Sequence, residues 1–81
     1  MIIAVRFYAI SREIAGTDQI KIELKEPACV GDAVDAVLTK YPKLGSLKNH
    51  LRYAIDNDFA DLTQKLKNNQ ELCVIPPVSG G

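Results

Sequence analysis

The segment QIKIELKEPACVGDAVDAVLTKY, residues 19–41, decides the fold, because its hydrophobic period changes partway along. The first part alternates apolar and polar residues, with Ile20 and Ile22 on one side, as in a half-buried antiparallel strand. From Val30 onward the apolar residues recur at spacings of three and four, the pattern of an amphipathic helix. Pro42 ends this helix. A strand followed by a helix therefore forms the centre of the predicted fold.

Upstream of this segment, IIAVRFYA (residues 2–9) alternates in the same way and is predicted to be a strand. Val5 and Phe7 lie on one face of this strand, so Tyr8 falls on the other. The next residues, SREIAG, are predicted to form one helical turn that ends at Gly16, since glycine accepts the left-handed conformation of a helix end.

Downstream of the helix, KLGSLKNHL (residues 43–51) has no regular period and is predicted to be irregular. RYAIDNDFADL then predicts a hairpin, with Asn57 in the tight turn where an Asn-Gly pair is common. The last strand, QELCVI, directs Val74 inward and Ile75 outward. Before it, Asn68 and Asn69 predict a turn, since Asn tolerates the left-handed conformation next best after glycine.

The order of elements is strand, strand, helix, strand, short strand, strand. This order predicts an α+β domain with the β-grasp, or ubiquitin-like, fold: a mixed sheet of about five strands with one main helix packed on one face. The predicted domain covers residues 1–75, and residues 76–81 form an extended tail that ends in Gly-Gly.

Composition narrows the classes of function. The chain has 81 residues, enough for one modest core, with ten basic and ten acidic residues that balance to zero. A balanced charge gives no broad positive field for nucleic acid, and no apolar run is long enough to span a bilayer. We therefore expect a cytoplasmic protein that binds neither nucleic acid nor membrane. The segment DNDFAD lacks the glycine and distal glutamate of a calcium loop, and we expect no metal site.

The chain ends in PPVSGG, residues 76–81. Pro76 and Pro77 fix φ and favour an extended conformation, so the tail leaves the last strand stiff. A fully extended tail of this length reaches roughly 20 Å, enough to enter the active site of another protein. Gly80 and Gly81 carry no Cβ, so they fit a narrow channel and leave the terminal carboxylate open to attack.

Two motifs, one near the start of the chain and one at its end, carry a resemblance to a known family. The turn REIAGTD, residues 12–18, and the ending PPVSGG resemble the small subunits of molybdopterin synthase, which are ubiquitin-like sulfur carriers. The similarity spans nearly the whole chain. Where that family often has a Thr before the helix, this chain has Cys29, and a thiol is a poor helix cap.

The resemblance implies a chemistry for Gly81. An activating enzyme related to the ubiquitin-activating adenylyltransferases uses ATP to adenylate Gly81, and a sulfur source then converts it to a thiocarboxylate. The sulfur source is a cysteine desulfurase or a rhodanese-type protein. The sulfur then passes to cyclic pyranopterin monophosphate, which becomes the dithiolene of molybdopterin. The chain is expected to bind no cofactor and to be the sulfur-donor subunit, not catalytic alone.

The resemblance also implies the surfaces that partners use. The tail residues Pro76, Pro77, Val78 and Ser79 are expected to enter the synthase large subunit, in a heterotetramer of both subunits, and carry Gly80 with Gly81 to its active site. An apolar patch is expected to contact the large subunit and the activating enzyme. Its members are Tyr8, Phe59 and Ile75.

Other functions remain open at this point. A thiamine-pathway sulfur carrier also ends in Gly-Gly, but it usually lacks the prolines. A ubiquitin-like protein modifier uses the same adenylation and then joins its last glycine, here Gly81, to a target lysine. A plain binding domain would not need the last two glycines. The basic residues between Lys40 and Arg52 are interpreted as solubilising, although they would also suit an acidic partner.

Overall fold

A five-stranded mixed sheet forms the centre of the structure, a computed structural model that describes residues 1–77. Two α-helices and one 3₁₀ helix accompany the sheet among these residues. In chain order the elements are β1 (Ile2–Phe7), α1 (Ala9–Ala15), β2 (Gln19–Glu23), α2 (Val30–Lys40), the 3₁₀ helix (Pro42–His50), β3 (Arg52–Ile55), β4 (Asp58–Phe59) and β5 (Glu71–Ile75).

The sheet order is β2-β1-β5-β3-β4. β1 and β5 are parallel, and the other neighbouring strands are antiparallel. The β1–β5 register places Val5 beside Leu72 and Phe7 beside Val74, so the first and last strands meet at the centre. The predicted mixed sheet with its main helix, and with it the predicted β-grasp fold, is confirmed.

The core lies between one face of the sheet and α2. Alternation along β1 and β5 buries one set of side chains almost completely, and they are at most 1% exposed: Ile3, Val5, Phe7, Leu72 and Val74. The buried stripe of α2 belongs to the same cluster and consists of Val30, Ala33, Val34 and Val37. Ile20 and Ile22 of the edge strand β2 pack against this cluster and are only half-buried. The buried faces of β1 and β5 and the buried stripe of α2 thus form one core, as the sequence predicted.

The middle of the chain is more regular than predicted. The segment expected to be irregular, residues 43–51, lies almost entirely within the 3₁₀ helix Pro42–His50, which buries Leu44 completely. α1 is also longer than the single turn predicted, although Gly16 ends it at φ 75°, as expected. A 3₁₀ helix has a period of three residues, so it leaves no α-helical or strand pattern to recognise.

The two turns that depend on asparagine form as predicted. In the β3–β4 hairpin, Asp56 and Asn57 have φ values of 50° and 72°, which is the arrangement of a type I′ turn. Asn69, just before β5, has φ 69°. Asparagine therefore takes the left-handed conformation at both positions, in place of glycine.

The start of α2 shows how Cys29 replaces a hydroxyl cap. The Cys29 N–H donates to Asp32 Oδ2 at 2.9 Å, and the thiol lies 3.4 Å from the same oxygen. The thiol therefore acts as a donor to Asp32, so the carboxylate does most of the capping. Within residues 1–77, neither α-helix has the length and apolar character needed to cross a bilayer.

Candidate functional site

The predicted tail begins at the end of β5, in the middle of the sheet. β5 is paired on both sides, with β1 in parallel and β3 antiparallel, so the strand that bears the tail is held by two neighbours. Pro76 is buried and Pro77 is exposed, which means that the chain emerges from the domain at Pro77. The predicted tail residues Val78, Ser79, Gly80 and Gly81 lie outside the described residues, and their roles stay predictions.

Beside this exit, the structure brings together the three residues predicted to dock partners. Tyr8, Phe59 and Ile75 line one shallow depression, and we call the depression and its lining the apolar patch. The residues that complete its lining are Ala54, Asn57 and Cys73. Phe59 is 69% exposed and Tyr8 is 44% exposed. Large apolar side chains with this exposure are typical of a surface that a partner covers.

Strand register explains why the patch forms here. Cys73 and Ile75 alternate with the core residues of β5 and therefore lie on the face away from α2. Ala54 pairs with Cys73 on one side and with Phe59 on the other, so these residues form one row across three strands. Because the side chain of Ala54 is small, the surface is depressed at the centre of this row. Phe59 lies at one end of the row.

Tyr8 is held in place by Ser11, a fully buried polar residue that the sequence analysis did not identify. The Ser11 hydroxyl accepts the Tyr8 N–H at 3.0 Å and donates to the Tyr8 C=O at 2.6 Å. The Val74 C=O, one residue before Ile75, lies 3.5 Å from the same hydroxyl. Ser11 thus links the start of α1 to the strand that bears the tail. The three-residue spacing from Tyr8 to Ser11 at a helix start is the signal that points to it.

The Tyr8 hydroxyl is the polar group of the patch whose environment favours the uncharged form. The Tyr8 hydroxyl lies 3.8 Å from Cys73 Sγ. This hydrogen bond is the main cause that raises the pKa of Tyr8 above its ordinary value, and desolvation adds to it. The phenol therefore remains protonated, and the patch offers a partner apolar surface with one neutral hydroxyl.

Basic residues border the patch and the exit of the tail. The Arg52 guanidinium lies 5.7 Å from the centroid of the Phe59 ring, over its face. His50 and Arg52 also line a second depression together with Ile75, Pro76 and Pro77. Arg52 and His50, two of the basic residues interpreted as solubilising, therefore lie where a docked partner would meet them.

These residues are suited to presenting a surface and a chain end to a partner. Within residues 1–77, no group of three or more His, Cys, Asp or Glu side chains is arranged to hold a metal ion. Glu71, the nearest carboxylate to Cys73, also contacts Arg6 at 3.4 Å and Gln19 at 3.1 Å. The site therefore consists of an apolar surface, the Arg52 guanidinium at its border and an emerging chain end.

Comparison with known families gives one match along most of the chain. The sequence profile described as the ThiS family matches residues 5–81. This range includes β1 from Val5, the whole of the apolar patch and the tail.

Individual relatives cover the same length. The molybdopterin synthase sulfur carrier subunit of Chlamydomonas reinhardtii is 32% identical over 83 residues, covering 100% of both chains. The small archaeal modifier protein 1 of Haloferax volcanii is 31% identical over 84 residues, covering 94% of this chain and 97% of its own. The crystal structure of that Haloferax modifier superimposes with a TM-score of 0.91 at 29% identity, covering 100% of both chains.

Proposed function

The chain belongs to the ThiS family, and from this premise we propose that it is the sulfur carrier subunit of a molybdopterin synthase. The full-length match to the Chlamydomonas carrier subunit is the observation that carries the proposal. The site supports it, since an apolar patch lies directly beside the point where the Gly-Gly tail leaves the domain.

In this proposal Gly81 carries the sulfur. A terminal carboxylate has a pKa near 3.3–3.7, so at neutral pH it is an anion and a poor electrophile. An adenylyltransferase resembling the ubiquitin-activating enzymes joins it to AMP from ATP, with release of pyrophosphate. The outer sulfur of a persulfide, carried by a cysteine desulfurase or a rhodanese-type protein, then displaces AMP and joins Gly81 to that protein through an acyl disulfide. A second thiol attacks the inner sulfur of this S–S bond, becomes part of a disulfide and releases the thiocarboxylate. The chain binds no cofactor in this scheme, because ATP is bound by the activating enzyme.

Transfer then takes place in the large subunit. The tail enters it, and two carriers in succession supply the two sulfurs of the dithiolene on cyclic pyranopterin monophosphate. The acid and base groups of this step belong to the large subunit. The apolar patch fixes the direction of the tail, because Ile75 belongs both to the patch and to the last strand.

Intact mass tests the proposal. The protein is incubated with ATP, an activating enzyme and a sulfur source, beside a variant that lacks Gly81. We expect a mass gain equal to one oxygen replaced by one sulfur in the wild type and none in the variant. A wild-type protein that gains no sulfur, while the activating enzyme sulfurates another carrier in the same mixture, would contradict the proposal.

A second candidate function is protein modification. The Haloferax modifier favours it, since its sequence matches 94% of this chain and its structure matches 100%. A modifier forms an isopeptide bond from Gly81 to a lysine of another protein, which gives bands of higher mass in a lysate. A carrier gives one band and transfers its sulfur to a purified acceptor. Transfer to a thiazole precursor in place of the pterin would identify the thiamine-pathway carrier instead.

A further inference from the structure

β2 forms one edge of the sheet, so one side of its backbone has no neighbouring strand within residues 1–77. In an antiparallel ladder, alternate residues direct both N–H and C=O toward the same neighbour, and the residues between them direct theirs away. The Leu24 N–H donates to the Met1 C=O at 2.9 Å, so the even-numbered residues of this strand face β1. The backbone groups that point outward therefore belong to Gln19, Lys21 and Glu23.

At one end of this edge, the outward backbone groups already have a hydrogen-bond partner. The Thr17 hydroxyl lies 3.2 Å from the Gln19 C=O, to which it donates, and 3.5 Å from the Gln19 N–H. These contacts confirm that Gln19 points outward, and they engage its backbone groups. Lys21 and Glu23 are the outward residues that this hydroxyl does not reach.

We propose that two copies of the chain associate by antiparallel pairing of their β2 strands, centred on Ile22. In this register Lys21 of each copy lies opposite Glu23 of the other. Residues opposite one another at such positions exchange both N–H···O=C bonds. The pairing therefore uses the outward groups of Lys21 and Glu23, and it leaves Gln19 bound to Thr17.

Charge selects the same register. Lys21 and Glu23 are exposed and lie on one face of the strand, so the dimer contains two Lys–Glu pairs related by its two-fold axis. A register centred on Lys21 would place two lysines opposite each other and would require the backbone of Gln19. A lysine on an edge strand normally opposes pairing, but here a glutamate of the second copy neutralises it.

The other face of the edge gains apolar contacts. Ile20 and Ile22 are half-buried because α2 does not cover the edge completely. In the proposed dimer the two Ile22 side chains meet, and Ile20 lies opposite Leu24 of the second copy. An interface of a few residues on each side is small, and it belongs to the weak class that forms at high protein concentration.

The dimer does not involve the surface that the proposed function uses. β2 is separated from β5 by β1, and the apolar patch lies on β5, β3 and the β3–β4 hairpin, with Tyr8 just after the end of β1. Paired copies therefore leave β5 and both patches uncovered. The inference stands whichever fate Gly81 has.

Sedimentation equilibrium of the full chain tests the proposal, at protein concentrations up to roughly 1 mM. We expect the wild type to shift from monomer toward dimer. Lys21→Glu and Glu23→Lys should each lower the association constant by about tenfold, because each replaces two attractive pairs by two repulsive ones. The double variant exchanges the charges and should return to within about threefold of the wild type.

Lys43→Glu is the matched control, since it changes the net charge equally at an exposed position of the 3₁₀ helix. It should associate like the wild type. Recovery in the double variant also shows that neither substitution unfolds the edge. A wild type that stays monomeric, single variants that associate normally, or a double variant that fails to recover would each overturn the proposal. Normal association of the single variants would place the contact between copies on another face.

Discussion

Phe59 is the residue on which the proposed docking depends most. Its side chain is 69% exposed beside the exit of the tail, so the fold gains little from it, and in the proposed complex the ring is free to pack against a partner. Its position follows from a type I′ turn and the pairing with Ala54, both of which hold the ring at the edge of the patch.

We expect Phe59→Ala to weaken binding to the synthase large subunit by about 2 kcal/mol, the value typical of an aromatic anchor in an interface. The free energy of unfolding should change by less than about 0.5 kcal/mol, as for other surface substitutions. Titration calorimetry and urea unfolding measure the two effects. Ile2→Ala is the control, because Ile2 is 38% exposed but lies at the start of β1. Unchanged binding together with a large loss of stability would contradict the assignment.

Ser11 contributes to stability where Phe59 does not. Removing its hydroxyl leaves the part-buried Tyr8 N–H without its acceptor, while the Tyr8 C=O keeps the N–H groups of Ser11 and Arg12. Ser11→Ala should therefore lower the free energy of unfolding by about 1–3 kcal/mol. Urea unfolding checks this value against Ser46→Ala, whose exposed hydroxyl donates to the Lys43 C=O at 3.0 Å. Equal losses in the two variants would show that the Ser11 bonds carry no special weight.

The sequence predicts part of this site and misses part. Alternation alone places Tyr8 and Ile75 away from the core, because the side-chain period of a strand is two residues. Ala54 and Cys73 join the patch only through the pairing of β3 with β5, which connects distant segments of the chain. Such pairing cannot be read from a local sequence pattern, so the contribution of Ala54 and Cys73 to the patch was not predicted.

Among the elements, α2 is the one that a single substitution should stabilise most readily. Its cap residue Cys29 offers a thiol, and a hydroxyl oxygen accepts backbone N–H groups much better. We expect Cys29→Ser to raise the free energy of unfolding by about 0.5–1 kcal/mol, measured by thermal or urea unfolding. Cys73→Ser is the control, since Cys73 lies within β5 and caps no helix. A Cys29→Ser variant no more stable than the wild type would mean that Asp32 already satisfies the helix start.

The 3₁₀ helix shows the limit of local patterns at the scale of elements. β1, β2, β5 and α2 have apolar repeats of two residues or of three and four residues, and each was predicted from that pattern. The segment Pro42–His50 buries Leu44 alone, so it has no stripe to detect. α1 was underestimated for a related reason, because its one buried residue is the polar Ser11.

For the whole molecule, stability at high pH depends on a buried tyrosine. Burial raises the pKa of Tyr53 above its ordinary value of 10.0. Below pH 10 the hydroxyl is protonated in both the folded and the unfolded chain, and its contribution is fully present. As the pH rises above 10, Tyr53 loses its proton in the unfolded chain before it does so in the folded chain. The contribution of Tyr53 to stability therefore decreases, and it is lost as the pH passes the pKa of the folded state.

We expect the free energy of unfolding to fall above pH 10 by up to about 1.4 kcal/mol per pH unit for this group. Tyr53→Phe should have a smaller slope over the same range. Urea unfolding at a series of pH values measures both slopes. Parallel slopes in the two proteins would mean that Tyr53 does not ionise differently in the folded state.

The parallel pair of β1 and β5 has a mechanical consequence. Since Ile2 begins β1 and Ile75 ends β5, a pull on the tail against the N-terminus acts along both strands in opposite directions. The hydrogen bonds from Ala4 to Phe7 lie across that direction and share the load, so they must break together. A force on the β3–β4 hairpin would instead open its bonds one after another. The domain is therefore strongest against force applied between its N-terminus and the end of β5, the chain end that the proposed partners would hold.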